Sequence, residues 1–137
     1  MTHSKRLQAY VQTALWSSTD DNDQPMDRDY DINDLATDTL ATMETDLNNF
    51  FDLLESTTYN NEQSLLDVAL GFADSSVRDN DPYGTIAHDF WLTRNGHGAG
   101  FWDGDYGDDV GYKLTAIAET FPEVNLYIGD DGMIYQA

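Results

Sequence analysis

Leu7, Tyr10, Val11, Ala14 and Leu15 follow one another at the spacing that lines one face of an α-helix. The period predicts an amphipathic helix over 4–16, with Ser4 placed to cap its free N–H groups. The pattern then stops. SSTDDNDQPMDRDYDIND (17–34) carries a proline and a dense run of aspartates, and it reads as an ordered loop because Pro25, Met26 and Tyr30 give it something to pack. Ala36, Leu40, Met43, Leu47, Phe50 and Leu54 resume in steps of three and four, predicting a second helix over 32–56. Asp31 or Asn33 would cap it, and early acids suit the positive end of its dipole. QSLLDVALGFAD (63–74) predicts a third helix, apolar on nearly every side through Leu65, Leu66, Ala69, Leu70 and Phe72, and therefore central. VRDNDPYG (77–84) reads as a loop.

Beyond it the period changes. DFWLTRN (89–95) and AGFWD (99–103) read as two aromatic-rich strands, with GHG (96–98) after Asn95 as the hairpin turn. A short helix over 85–94, capped by Thr85, is the alternative for the first of them. Val110, Leu114, Ile117, Ala118 and Phe121 return to helical spacing over 108–121, closed by Pro122. NLYIGDDGMIYQA (125–137) is a second hairpin with GDDG as its turn. The sum is an α+β fold in one domain, 1–137: N-terminal helices packed on a small antiparallel sheet of two hairpins with an intervening helix.

Composition sharpens this picture. A net charge of −20 suggests disorder, but 40% hydrophobic residues in periodic order argue for a folded domain with an acidic surface. The absence of cysteine removes disulfides, zinc–thiolate sites and thiol catalysis together. No apolar run reaches the roughly 18 residues of a membrane span, and MTHSKRLQAYVQTALW lacks the core and cleavage site of a signal peptide. A cytoplasmic location is the expectation.

The segment HDFWLTRNGHGAGFWDGDYGDD (88–109) concentrates candidate chemistry. His88, Asp89, Arg94, Asn95, His97 and Asp103 could form an acid–base or phosphodiester-handling cluster, since imidazole shuttles protons near neutral pH. A small hydrolase or nucleotide-handling enzyme using His88, His97 and Asp103 with Arg94 is the catalytic reading. Against it, the two histidines stand nine residues apart and no hydroxyl nucleophile sits in a recognisable elbow. The structural reading has Asn95 and the glycines supplying positive-φ turn geometry, Arg94 pairing with neighbouring acids, and Phe90, Trp91, Phe101 and Trp102 packing on the helices. Cross-strand aromatic pairs contribute roughly 0.2–1 kcal/mol each, reason enough for that composition.

Asp27, Asp29 and Asp31 occupy positions 1, 3 and 5 of a calcium-loop spacing. Ile32 stands where the sharp turn needs glycine, however, and Asp38 where the loop needs a bidentate glutamate. No metal or cofactor is expected.

Charge decides what remains. Twenty-six acids face six bases, so nucleic acid and anionic membrane are repelled and basic surfaces attracted. A domain of this length is roughly 35–40 Å across. Duplex DNA places twenty charges along about 34 Å. The candidate acidic face comprises Asp20, Asp21, Asp23, Asp27, Asp29, Asp31, Asp34 and Asp38, with Asp103, Asp105, Asp108 and Asp109. Pre-folded, such a face would act as a decoy for a phosphate-gripping surface, because folding in advance removes an ordering cost from binding. Solubility or adaptation to high salt is the blander account of the same acids.

HDFWLTRNGHGAGFWD (88–103), followed by KLTAIAETFPEVNLYIGDDGMIY (113–135), closely resembles a family of small bacteriophage- and mobile-element-encoded proteins of unknown function. AYVQTALWSSTDDNDQPMDRDYDINDLA (9–36) resembles the first third of the same family, and the middle, about 55–84, is the least similar. In that pattern a basic residue often follows FWD, where this chain has Gly104. The resemblance implies phage origin and supplies no catalytic residues. It therefore favours a non-enzymatic anti-defence or host-takeover protein in the host bacterial cell. Its partner would be a basic nucleic-acid-binding host protein such as a CRISPR effector or restriction enzyme.

Overall fold

Ser4 accepts the N–H of Leu7 at 3.2 Å and opens α1 (Lys5–Ser17). The helix buries the stripe the sequence marks, with Leu7, Tyr10, Val11, Ala14 and Leu15 all at most 1% exposed. The structure, a computed structural model, describes residues 4–74, 81–96, 100–101 and 106–137. Among these it is an α+β fold, 61% helical, with five α-helices and two separate two-stranded antiparallel sheets.

The acidic loop after α1 is ordered. Short 3-10 turns form at Met26–Arg28 and Ile32–Asp34, and Met26 is buried as an anchor at 1% exposure. Asp31 caps the second turn rather than the long helix that follows. That helix, α2 (Thr37–Ser56), begins five residues later than its periodicity suggests, and no side chain caps it at Ala36. The cause is distant in sequence. Leu35 forms a parallel bridge with Ile134, and the Ala36 N–H donates to the Ile134 carbonyl at 2.9 Å, so residues 35 and 36 are held extended.

A hairpin of β1 (Thr58–Asn60) and β2 (Gln63–Ser64) leads into α3 (Leu65–Asp74), whose start is capped by Ser64 accepting the Asp67 N–H. α3 is not the central helix, because it buries Leu65, Leu66, Ala69 and Ala73 while Phe72 stays 38% exposed.

The centre belongs to α4 (Pro82–Arg94), which overturns the strand reading of 89–95 and leaves the helical alternative standing. Its cap is Asp81, through the Gly84 N–H, and not Thr85. Every residue from Gly84 to Arg94 except His88 is buried. A helix enclosed on all sides has no polar face, so its sequence carries no 3.6-residue period, and aromatic and β-branched residues then imitate a strand. α1 packs along it, α3 and α5 (Gly107–Ala118) also lie against it, and Phe50 of α2 stacks on Phe90 at 4.0 Å. Tyr10 extends that column, and Phe101 and Tyr106 complete it. Phe101 therefore enters the core from an irregular segment, not from a strand; Trp102 and the rest of 102–105 lie outside the described residues. α5 ends before Pro122, and β3 (Leu126–Ile128) pairs with β4 (Ile134–Gln136) about the GDDG turn as predicted.

Candidate partner-binding surface

His88, Trp91 and Arg94 lie on α4 and Asn95 is its C-cap, so they do not form a hairpin. Arg94 is 3% exposed and meets Asp46 at 3.0 Å, the Tyr10 hydroxyl at 3.1 Å and the Pro122 carbonyl at 2.7 Å. It also sits 5.4 Å from the centres of both the Phe90 and Phe121 rings. Burial pushes the Tyr10 phenol up to about 12, with Arg94 pulling the other way. Trp91 donates its indole N–H to Ser17 at 2.8 Å. Asn95 accepts the Val124 N–H at 2.8 Å and donates to the Trp91 carbonyl; its φ of −99° shows that it is not a positive-φ turn residue. Gly96 and Gly100 do take positive φ. Asp89 accepts the Tyr106 phenol at 2.7 Å in the core.

His88 is half-buried against α1, its Nδ1 2.8 Å from the Thr13 hydroxyl. The Thr13 hydroxyl also lies 2.8 Å from the Ala9 carbonyl, so it bridges the helix backbone and the imidazole. The ring borders a cleft of about 200 Å³ with Gln12, Asp81 and Thr85, where Asp81 already caps α4. His97 and Asp103, its proposed partners in catalysis, lie outside the described residues, as does Asp105. Through His88, Trp91 and Arg94 the described part of the motif joins α4 to α1 and α2, and through Asp89 and Asn95 it ties α4 to Tyr106 and Val124.

The aspartates divide by position. Asp20 accepts the N–H groups of Asn22 and Gln24, and Asp23 takes a φ of 60°, so 20–24 closes a tight turn. Asp27 lies beside Gln12 of α1. Asp34 accepts the Asp31 N–H and Asp31 accepts the Asn33 N–H, both at 2.8 Å, in a capping box that opens the Ile32–Asp34 turn. Asp21, Asp23, Asp29, Asp31 and Asp38 are exposed, and Asp20, Asp27 and Asp34 half-buried. The one cation in this segment, Arg28, is exposed and bonded to Gln24.

Asp108 and Asp109 belong elsewhere. Asp109 pairs with Lys113 at 3.6 Å, and its carboxylate, close to Tyr59 just beyond the C-terminal end of α2, pushes that phenol up. Asp38 is at the other end of the same helix, which at 20 residues is about 30 Å long. The twelve-aspartate face read from sequence is therefore divided among the described residues into a dense 20–38 segment and a distant pair at 108–109.

The fold adds what sequence order concealed. The Leu35–Ile134 bridge sets the C-terminal hairpin, whose turn carries Asp130 and Asp131, beside the acidic segment. The charge of Asp38 acts on Tyr135, whose hydroxyl donates to Asp131. That bond holds the Asp131 carboxyl below the usual range and pushes the Tyr135 phenol up. The turn itself was legible; its adjacency to 20–38 rests on one long-range backbone pairing that no local pattern encodes.

Among the described residues no group of three or more acids and histidines is arranged to hold a metal ion, and no helix is long and apolar enough to cross a membrane. Comparison with protein families, with curated proteins and with solved structures returned no match.

Proposed function

We propose that this chain is a phage-encoded, non-enzymatic inhibitor that seats its acidic end on a basic nucleic-acid-binding surface of a host protein, such as a CRISPR effector or restriction enzyme. One observation carries the reading: the 20–38 segment is pre-organised on the core through Met26 and Leu35, and the C-terminal hairpin lies beside it with Asp130 and Asp131. Eight aspartates of that segment and two of the hairpin face a single cation, Arg28. Ten charges correspond to about 17 Å of duplex, roughly half a turn. Holding them in place beforehand leaves less to order on binding.

A second reading is favoured by a different observation. Glu44, Asp52, Glu55, Glu62, Asp67, Glu119 and Glu123 are exposed on other elements, as expected where acid serves only hydration and solubility. Affinity capture separates the two. The immobilised protein, presented with bacterial lysate at about 50 mM salt, should retain nucleic-acid-binding proteins that duplex DNA or about 200 mM salt releases. Retention of neutral or acidic proteins alone, or of partners that DNA does not displace, contradicts the inhibitor reading.

A further inference from the structure

From the outer face of the C-terminal hairpin we infer a second kind of contact, one that selects arginine: the stacked Tyr127 and Tyr135, with Asp131 bonded to Tyr135 and Asp130 beside it in the turn, form a docking surface for guanidinium groups of a basic protein partner. This rests on the proposed function and names the chemistry by which the same acidic end would grip its partner. β3 and β4 pair Tyr127 directly with Tyr135, and their rings stack at 5.7 Å with 23° between planes. Leu126 and Ile134 turn to the core instead, so the strand alternation commits both tyrosines to the outside. Tyr127 is 48% exposed and lies directly against Tyr135, so the two rings present a paired aromatic surface rather than a single exposed side chain.

The pair is held rather than loose. Asp131 fixes the Tyr135 hydroxyl and also accepts the Met133 N–H at 2.9 Å. A Cβ at Gly129 would come within 2.6 Å of the Tyr135 ring, so the ring lies against bare backbone there. Rigid aromatic area with little entropy to lose is what interface anchors are made of.

Charge selects the occupant. A second copy of the chain would bring another −20 to the contact, and a nucleic acid that could stack on the rings would meet Asp131 and the charge of Asp38. Arginine meets both halves of the surface: its planar cation stacks on tyrosine while its N–H fork reaches carboxylates. Lysine answers the charge but not the plane.

The test compares oligoarginine and oligolysine peptides of equal length, titrated into the full chain at low salt. The wild type should bind oligoarginine about fivefold more tightly. Tyr127→Ala should bring the two affinities together, chiefly by weakening oligoarginine, and Tyr127→Phe should keep the preference. In the unaltered protein, ring-proton resonances of Tyr127 should shift with oligoarginine and not with oligolysine, a readout that needs no variant to fold. Equal affinities in the wild type, or an arginine preference that survives Tyr127→Ala, overturns the inference and leaves the inhibitor reading in place. If joint Asp27→Asn and Asp29→Asn replacement leaves both peptides bound as before, it is the inhibitor reading that suffers.

Discussion

Arg94 stands in a run of residues that looks like an active site when read as text, and its surroundings explain why it is not free to act as one. A buried guanidinium needs acceptors for its donors, and Asp46, Tyr10 and Pro122 supply them from three other parts of the chain. Removing the charge partner leaves the cation with neutral acceptors only. Asp46→Asn should therefore lower unfolding free energy by about 2 kcal/mol, below the 3–5 kcal/mol range of a fully enclosed pair because the Asp46 side chain is 25% exposed. Denaturant midpoints at unchanged slope measure it. A shift under about 0.5 kcal/mol would mean that Arg94 is solvated. Among the described candidates of the motif, an acidic partner for Arg94 was legible, but the expected neighbouring acid gives way to Asp46, 48 residues away on another helix.

At the level of elements, sequence periodicity succeeds where a helix or strand has one wet side and fails where it has none. α1, α2 and α5 present polar faces, and their apolar stripes mark them correctly, apart from the late start of α2. α4 is enclosed on nearly all sides, so the aromatic run around Phe90 and Trp91 suggested a strand. The return of the chain to α4 depends on Gly100, whose φ is +112° and where a Cβ would lie 2.4 Å from the Thr93 hydroxyl and 3.2 Å from the Asp89 carbonyl. Gly100→Ala should cost about 1–3 kcal/mol. Gly71→Ala, whose Cβ meets nothing within 4 Å on α3, should be neutral or mildly stabilising. Equal thermal midpoints for the two variants would show that the segment can relax around Gly100 and that its tight seat on α4 is dispensable.

For the whole molecule the question is whether the charge has a direction. Composition reveals its size, and the aspartate run reveals its densest segment. It does not reveal that α2 separates Asp108 and Asp109 from the rest, nor that the last strand sets the hairpin carrying Asp130 and Asp131 beside the dense segment. Both facts follow from packing between parts remote in sequence. A directed field and a hydrating shell differ most plainly in how binding answers salt and local neutralisation. The decisive measurement is the affinity of the captured partner as a function of salt, for the wild type and for a variant with Asp27, Asp29, Asp130 and Asp131 replaced by Asn. An acidic control variant neutralised at Asp67, Glu119 and Glu123 completes the set. The predicted result is steep weakening with salt, with affinity and salt slope both reduced in the first variant and nearly unchanged in the control. Equal loss in both variants, or binding indifferent to salt, would contradict a dedicated acidic end.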